Sequence, residues 1–271
     1  MSIGRKFTVA LLALVALFSI LGVACGSSGS GDAEEDLGSG TSNRVSTTAS
    51  SLFPDGTLAK NIRLKLNLPE AADIPADTDF TQFTVFNAAL ELYIEDLTGL
   101  EKLSNLEDLD LAQNKLVDVT QVGQLTKMKR LNLSQNAIVD ISALAPLTDV
   151  YYLHLMQNQI TDISVLSGMT GITEINIQDN LISDISPLAN MKGLEVIRLN
   201  TNQITDLSPL AGLPNVKALE FSKNNVTDLS PLLDAGWGEG TEIRCWGVPL
   251  DDNSINNVIP ALEAAGVDVK F

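Results

Sequence analysis

Across residues 84–237, apolar and polar positions follow one repeating pattern. Its marker is asparagine: Asn114, Asn136, Asn158, Asn180, Asn202 and Asn224 are spaced by 22 without exception. Around each lies the frame L-x-x-L-x-L-x-x-N-x-I-x-D-I-x-x-L-x-x-L, where L and I stand for any apolar residue. The fourth unit fills it with Ile172, Ile175, Ile177, Asn180, Ile182, Asp184, Ile185, Leu188 and Met191. Seven apolar places in each of six units make 42, and all 42 are apolar, which chance does not produce in a chain that is 45% apolar. An earlier partial unit supplies Ile94, Asp96, Leu97, Leu100 and Leu103 in the same phase.

The period dictates a structure. Each L-x-L core alternates as a strand does, with two side chains inward and the residues between them outward. One short strand per unit, all running the same way, predicts a parallel sheet rising about 4.8 Å per rung. No unit buries its apolar side alone, so neighbours must stack. The remaining dozen residues are too few for a helix with both its loops and suit turns with a 3₁₀ segment. Ser186–Pro187, Ser208–Pro209 and Ser230–Pro231 read as a capping serine followed by proline in a first helical turn. The six asparagines are expected inward at a bend, their amides bonded to the backbone of their own and the next unit. Asp96, Asp118, Asp140, Asp162, Asp184, Asp206 and Asp228 form a second column. Local bonds to turn N–H groups explain it, since the glycine-rich spacing of calcium-binding repeats is missing. Cys245 occupies an inward L-x-L place and reads as a small buried hydrophobe.

The phrases "NQITDISVL", "NLISDISPLAN" and "NQITDLSPLAGL" resemble leucine-rich repeats of the short, internalin-like bacterial type. "FPDGTLAKNIRLKLNLPE" (Phe53 to Glu70) resembles the helical N-terminal cap of such proteins, and Val248 to Phe271 their closing helical stretch and final strand. The resemblance implies an α/β fold: a leucine-rich-repeat solenoid with a curved parallel sheet on its concave face and 3₁₀ or turn segments on its convex side. On this reading the cap spans 52–83, the repeats 84–237, and an α/β closing cap 238–271. The match departs from the pattern near the end, where Gly236 to Gly240 adds two residues and Trp246 and Val248 replace polar positions.

The segment from Met1 to Ala24 reads as an address. Arg5 and Lys6 precede an uncharged apolar run from Phe7 to Leu21, then small residues lead to Cys25. The run is short for a membrane span, which needs about 20 apolar residues. Small residues followed by cysteine resemble a bacterial lipoprotein signal, although Gly22 stands where that family usually has leucine. The resemblance implies lipidation of Cys25 and, through Gly26, anchoring in the outer membrane or at the cell surface. Residues 26–51 contain 16 Gly, Ser or Thr and are expected to form an unstructured tether.

Composition narrows the function. The net charge is −17, and losing Arg5 and Lys6 with the signal makes it two charges more negative. Such a surface repels phosphate backbones, which argues against nucleic acid. Two cysteines, one with a use at the N-terminus, exclude a disulfide scaffold. His154 is the only imidazole, and no Walker loop, G-x-S-x-G or H-E-x-x-H motif is present, so neither an enzyme, a metal site nor a cofactor is expected. What remains is the outward sheet face. Its central rung carries Tyr151, Tyr152, His154 and Met156, flanked by Arg130 and Asn132 on one side and Glu174, Asn176 and Arg198 on the other. These are the expected contacts of a monomeric binding module for a protein, or else a glycan, arranged as an apolar centre with a polar rim. A host-cell adhesin and a structural envelope lipoprotein are the alternatives.

Overall fold

The structure is a computed structural model that describes residues 52–90 and 92–271; the signal segment, Cys25 and the tether lie outside the described residues. Nine three-residue strands stack in chain order into one parallel sheet. They are β1 (Val85–Asn87), β2 (Asp108–Asp110), β3 (Arg130–Asn132), β4 (Tyr152–His154), β5 (Glu174–Asn176), β6 (Val196–Arg198), β7 (Ala218–Glu220), β8 (Glu242–Arg244) and β9 (Asp268–Lys270). From β2 to β7 the partners keep the spacing of the asparagines, so Leu131 lies opposite Leu153 and Leu153 opposite Ile175. The β7–β8 step is longer by two, with Leu219 opposite Ile243, because the chain bulges between Gly236 and Gly240. Both glycines are left-handed, at φ 68° and 91°, where a side chain would add strain. The unit ahead of Asn114 is fuller than the sequence pattern shows. It has its own strand, β1, whose Phe86 lies opposite Leu109 of β2.

The framework residues form the core. Of the 42 apolar places, every one but Ala235 is buried, in a single continuous cluster. Each large aliphatic side chain so buried contributes about 1.5–3 kcal/mol. The chain returns through 3₁₀ turns such as Ser142–Leu144, Ser186–Leu188 and Ser208–Leu210. The serine of Ser-Pro is not the cap. It is the first residue of the turn, and the aspartate two places earlier accepts its N–H, as Asp184 does from Ser186 at 2.7 Å. All seven aspartates of the column make this bond, from Asp96–Thr98 to Asp228–Ser230.

Both ends of the solenoid are covered. Helix α1 (Gly56–Lys65) buries Leu58, Ala59 and Ile62, and Asp55 starts it by accepting from the N–H groups of Thr57 and Leu58. The other oxygen of Asp55 accepts from the N–H groups of Glu95 and Asp96, tying the cap to the first turn. Gly99 permits that docking: at φ 96°, a Cβ there would lie 2.0 Å from the Leu52 carbonyl oxygen. At the far end, a π-helical turn (Ser254–Val258) runs into α2 (Ile259–Ala264) and then β9. The fully buried Ser254 hydroxyl accepts from Leu229 N–H and donates to the Thr227 carbonyl. No described helix is long and apolar enough to cross a membrane.

Candidate functional site

The outer sheet face is held in place from behind by the asparagines. Asn180 donates through Nδ2 to the Ile177 and Gln178 carbonyls of its own unit and to Leu155 of the preceding one. Its Oδ1 accepts from Ile160 N–H, also in the preceding unit, at 3.0 Å. The bonds therefore run backwards along the chain rather than forwards to the next unit. The reason is that the asparagine follows its strand and reaches the bend already laid down beside it. Asn114, Asn136, Asn158, Asn202 and Asn224 repeat the arrangement, and all six are buried except the half-buried Asn136.

In front, the strand residues at places one and three point outward. They build a chain of contacts across seven rungs. Asp108 of β2 pairs with Arg130 of β3 at 3.3 Å, and that guanidinium lies 4.0 Å from the centre of the Tyr152 ring. Tyr152 and His154 sit two residues apart on β4 with ring centroids 4.0 Å apart. The Tyr152 hydroxyl is 2.9 Å from His154 Nδ1, and His154 Nε2 is 3.1 Å from Glu174 Oε1. An ionised carboxylate only accepts, so Nε2–H donates to Glu174, and in the neutral ring Nδ1 accepts from the phenol. Glu174 also receives Arg198 at 2.7 Å. Arg198 lies 3.9 Å from Glu220, which Arg244 bonds at 2.9 Å while also clasping Glu242 with two bonds.

Burial and pairing set the titration of this chain. Burial pushes the His154 pKa below its usual 6.5, against the pull of the Glu174 hydrogen bond. Burial alone would raise Glu174, but its bonds to Arg198 and His154 prevail and hold it below 4.5. Burial also raises the Tyr152 phenol. Burial raises the Cys245 thiol to about 11, which leaves it protonated. The described residues contain no group of three or more His, Cys, Asp or Glu able to hold a metal ion.

The structure thus brings Arg130, Tyr152, His154, Glu174 and Arg198 together, and it changes the expected apolar centre into a polar one. His154 is only 15% exposed, being covered by the Tyr152 ring and by Glu174. Asn176 is buried, and its Oδ1 accepts from Gln178 N–H, just as Asn132 accepts from Ser134. Both asparagines thus have Oδ1 engaged by their own turns. Met156 is half-buried, and its sulfur accepts from Gln178 Nε2. Tyr151, at 41% exposure, lies just before β4 and against the Arg130 side chain at the margin of the network. Asp108, Glu220, Glu242 and Arg244 complete the network without any motif to mark them. Their signal is the alternation of acid and base at outward places on neighbouring strands, as from Arg198 to Glu220 to Arg244.

Comparison with known proteins agrees with this architecture. Two family models match: "Leucine Rich repeats (2 copies)" over residues 152–190 and 170–212, and "Leucine rich repeat" over 104–160. A sequence search of curated proteins finds no match. Among solved structures, the chain is similar to an internalin (inlF) from Listeria monocytogenes, at 26% identity and a TM-score of 0.73, covering 85% of this chain and 68% of that one. It is similar to internalin C2 from the same organism at 30% identity and a TM-score of 0.58, covering 76% of this chain and 97% of that one. A leucine-rich-repeat protein of Leptospira interrogans shares the fold at 20% identity and a TM-score of 0.57, over 65% of this chain and 48% of that one. With its repeats matched, and with 30% identity over nearly all of internalin C2, the chain belongs to the internalin-like leucine-rich-repeat proteins.

Proposed function

We propose that this protein is an exported binding module that receives a macromolecular partner on the outer face of its sheet. Cys25 carries the lipid that anchors it to the cell envelope, and residues 26–51 tether the solenoid above the membrane. The observation that carries the binding role is the paired network from Asp108 to Glu242. Its charges are held in fixed positions by one another, so a partner meets a preorganised surface and little side-chain entropy is lost on docking. Tyr151, immediately before β4, is exposed against the Arg130 side chain at the margin of that surface, and exposed tyrosine and arginine are the residue types that dominate binding hot spots. The partner is a protein, consistent with the fold's usual role as a protein-interaction scaffold.

Two experiments test this. Affinity capture from the native envelope should retain a defined partner on the parent protein and lose it on Tyr151→Ala. Equal capture by both would remove the outer face from consideration, while no capture together with an envelope defect on deletion would favour a structural role. For anchoring, Cys25→Ala should shift the protein out of the detergent phase on phase separation. A mutant that partitions like the parent would refute the lipid anchor.

A further inference from the structure

Beside the strands runs a second surface that the outer face does not use. After each ladder asparagine the chain is extended, so Lys115 and Val117 are exposed while Leu116 and Val119 are buried. In the first three units this edge exposes Tyr93, Val117 and Val139, at 65%, 60% and 50%, beside the paired Glu95 and Lys115; Leu181, at 48%, is the exposed apolar residue of a later unit. At the place of Val117 and Val139 the first unit has Glu95, and later units carry Thr161, Ser183, Thr205 and Thr227. The two valines border grooves of 250 and 320 Å³ that open between successive rungs and meet at Asp140 and Ser142. Asp118, Asp140 and Asp162 line the same grooves. Oδ1 of Asp118 takes both the N–H and the hydroxyl of Thr120, and its Oδ2 makes no bond to any described residue. In the later units Asp184, Asp206 and Asp228 instead commit both oxygens to the following serine. Lys115, the cation on this strip, is held by Glu95 at 3.1 Å and lies over the Tyr93 ring.

We propose that this edge of the first three units is a docking groove for an extended polypeptide segment in which lysine or arginine alternates with apolar residues. The apolar side chains lie over Tyr93, Val117 and Val139, and the cations meet the carboxylates of Asp118 and Asp140, with Asp162 of the next unit closing the end of the groove. Charge complementarity chooses this occupant. A second copy of this chain, with net charge −17, or an anionic lipid surface would be repelled from the same row of acids, whereas a cationic segment is steered towards it. The groove is distinct from the outer face and does not rest on that site's function.

The test is fluorescence anisotropy of the purified full-length protein at low salt, with a labelled eight-residue peptide alternating lysine and valine. This peptide should bind at least about fivefold more tightly than a lysine–serine or a glutamate–valine counterpart. Asp118→Asn with Asp140→Asn removes charge but keeps the turn, since asparagine makes the same backbone bond. Val117→Thr with Val139→Thr installs a residue that the later units already tolerate. Each pair should weaken binding at least about threefold without shifting the melting temperature. Asp184→Asn with Asp206→Asn, and Tyr151→Ala, should leave it unchanged. The proposal is overturned if the lysine–valine peptide does not bind or the lysine–serine peptide binds as well. It is equally overturned if the later-unit aspartate pair weakens binding as much as the early one, which would mean diffuse attraction to an acidic protein. A loss on Tyr151→Ala alone would place the peptide on the outer face and also overturn the groove.

Discussion

A single asparagine in this solenoid does the work of several backbone bonds. Asn180→Ala would leave its four backbone partners, the carbonyls of Leu155, Ile177 and Gln178 and the N–H of Ile160, without that bond. Chemical denaturation should show a loss of about 1–3 kcal/mol, and Asn180→Asp should be at least as harmful at neutral pH because it buries a charge. Unchanged stability would mean the amide is dispensable. The residue before each asparagine was not legible as special. Gln113, Gln135, Gln157, Asp179, Thr201 and Lys223 are all left-handed, with φ between 53° and 58°, yet no glycine marks the bend. The asparagine bonds impose the conformation on whatever residue stands there. Thr201 is the least suited, being β-branched. Thr201→Asn should therefore stabilise the protein, by up to about 1 kcal/mol, since asparagine tolerates this region best. A lower denaturation midpoint would contradict the strain.

At the scale of an element, the strands were readable and their outward chemistry was only half so. Two-residue alternation places Leu153 inward and Tyr152 and His154 outward, as found. It does not reveal that these rings stack on each other, or that Glu174 closes over the imidazole from the next strand. Those are cross-strand contacts, visible only once the register is known. The consequence is a pH dependence. Because burial lowers the His154 pKa, the folded chain takes up that proton later than the unfolded chain as pH falls. The stability this confers is complete above the unfolded value near 6.5 and is lost as pH falls through the window below it. Glu174, also depressed, keeps its contribution until pH falls below its own unfolded value of 4.5. Denaturation between about pH 7 and 5.5 should therefore show the parent losing more stability than His154→Gln. Since His154 is the chain's only histidine, its imidazole resonances should titrate below pH 6.5 without ambiguity. A midpoint at or above 6.5, or identical pH profiles for both proteins, would refute the buried, neutral ring.

For the whole molecule, the period written in the chain is the unit of construction. It carried the fold class, the inward residues and the direction of stacking. The end caps were legible only as a likeness, because α1, α2 and β9 each occur once and offer no internal repeat to compare. If each unit contacts only its neighbours, removing one whole period, Gln159–Asn180, should leave a shorter solenoid that still unfolds cooperatively, at reduced stability. Removing only half a period, Gln159–Met169, should abolish that transition, because it takes out the inward Ile160, Ile163, Leu166 and Met169 and leaves one strand without its return segment. Equal outcomes for the two deletions would argue against a modular stack. The function claimed for this scaffold rests on its outer face. The most direct measurement is quantitative capture of native envelope proteins on three versions of the chain: the parent, Tyr151→Ala with Arg130→Ala on the outer face, and Leu233→Ser on the 3₁₀ side. A partner retained by the parent and by Leu233→Ser, but reduced at least about tenfold on the outer-face pair with an unchanged fold, is the predicted result. Retention by the outer-face pair, or loss only on Leu233→Ser, would contradict it.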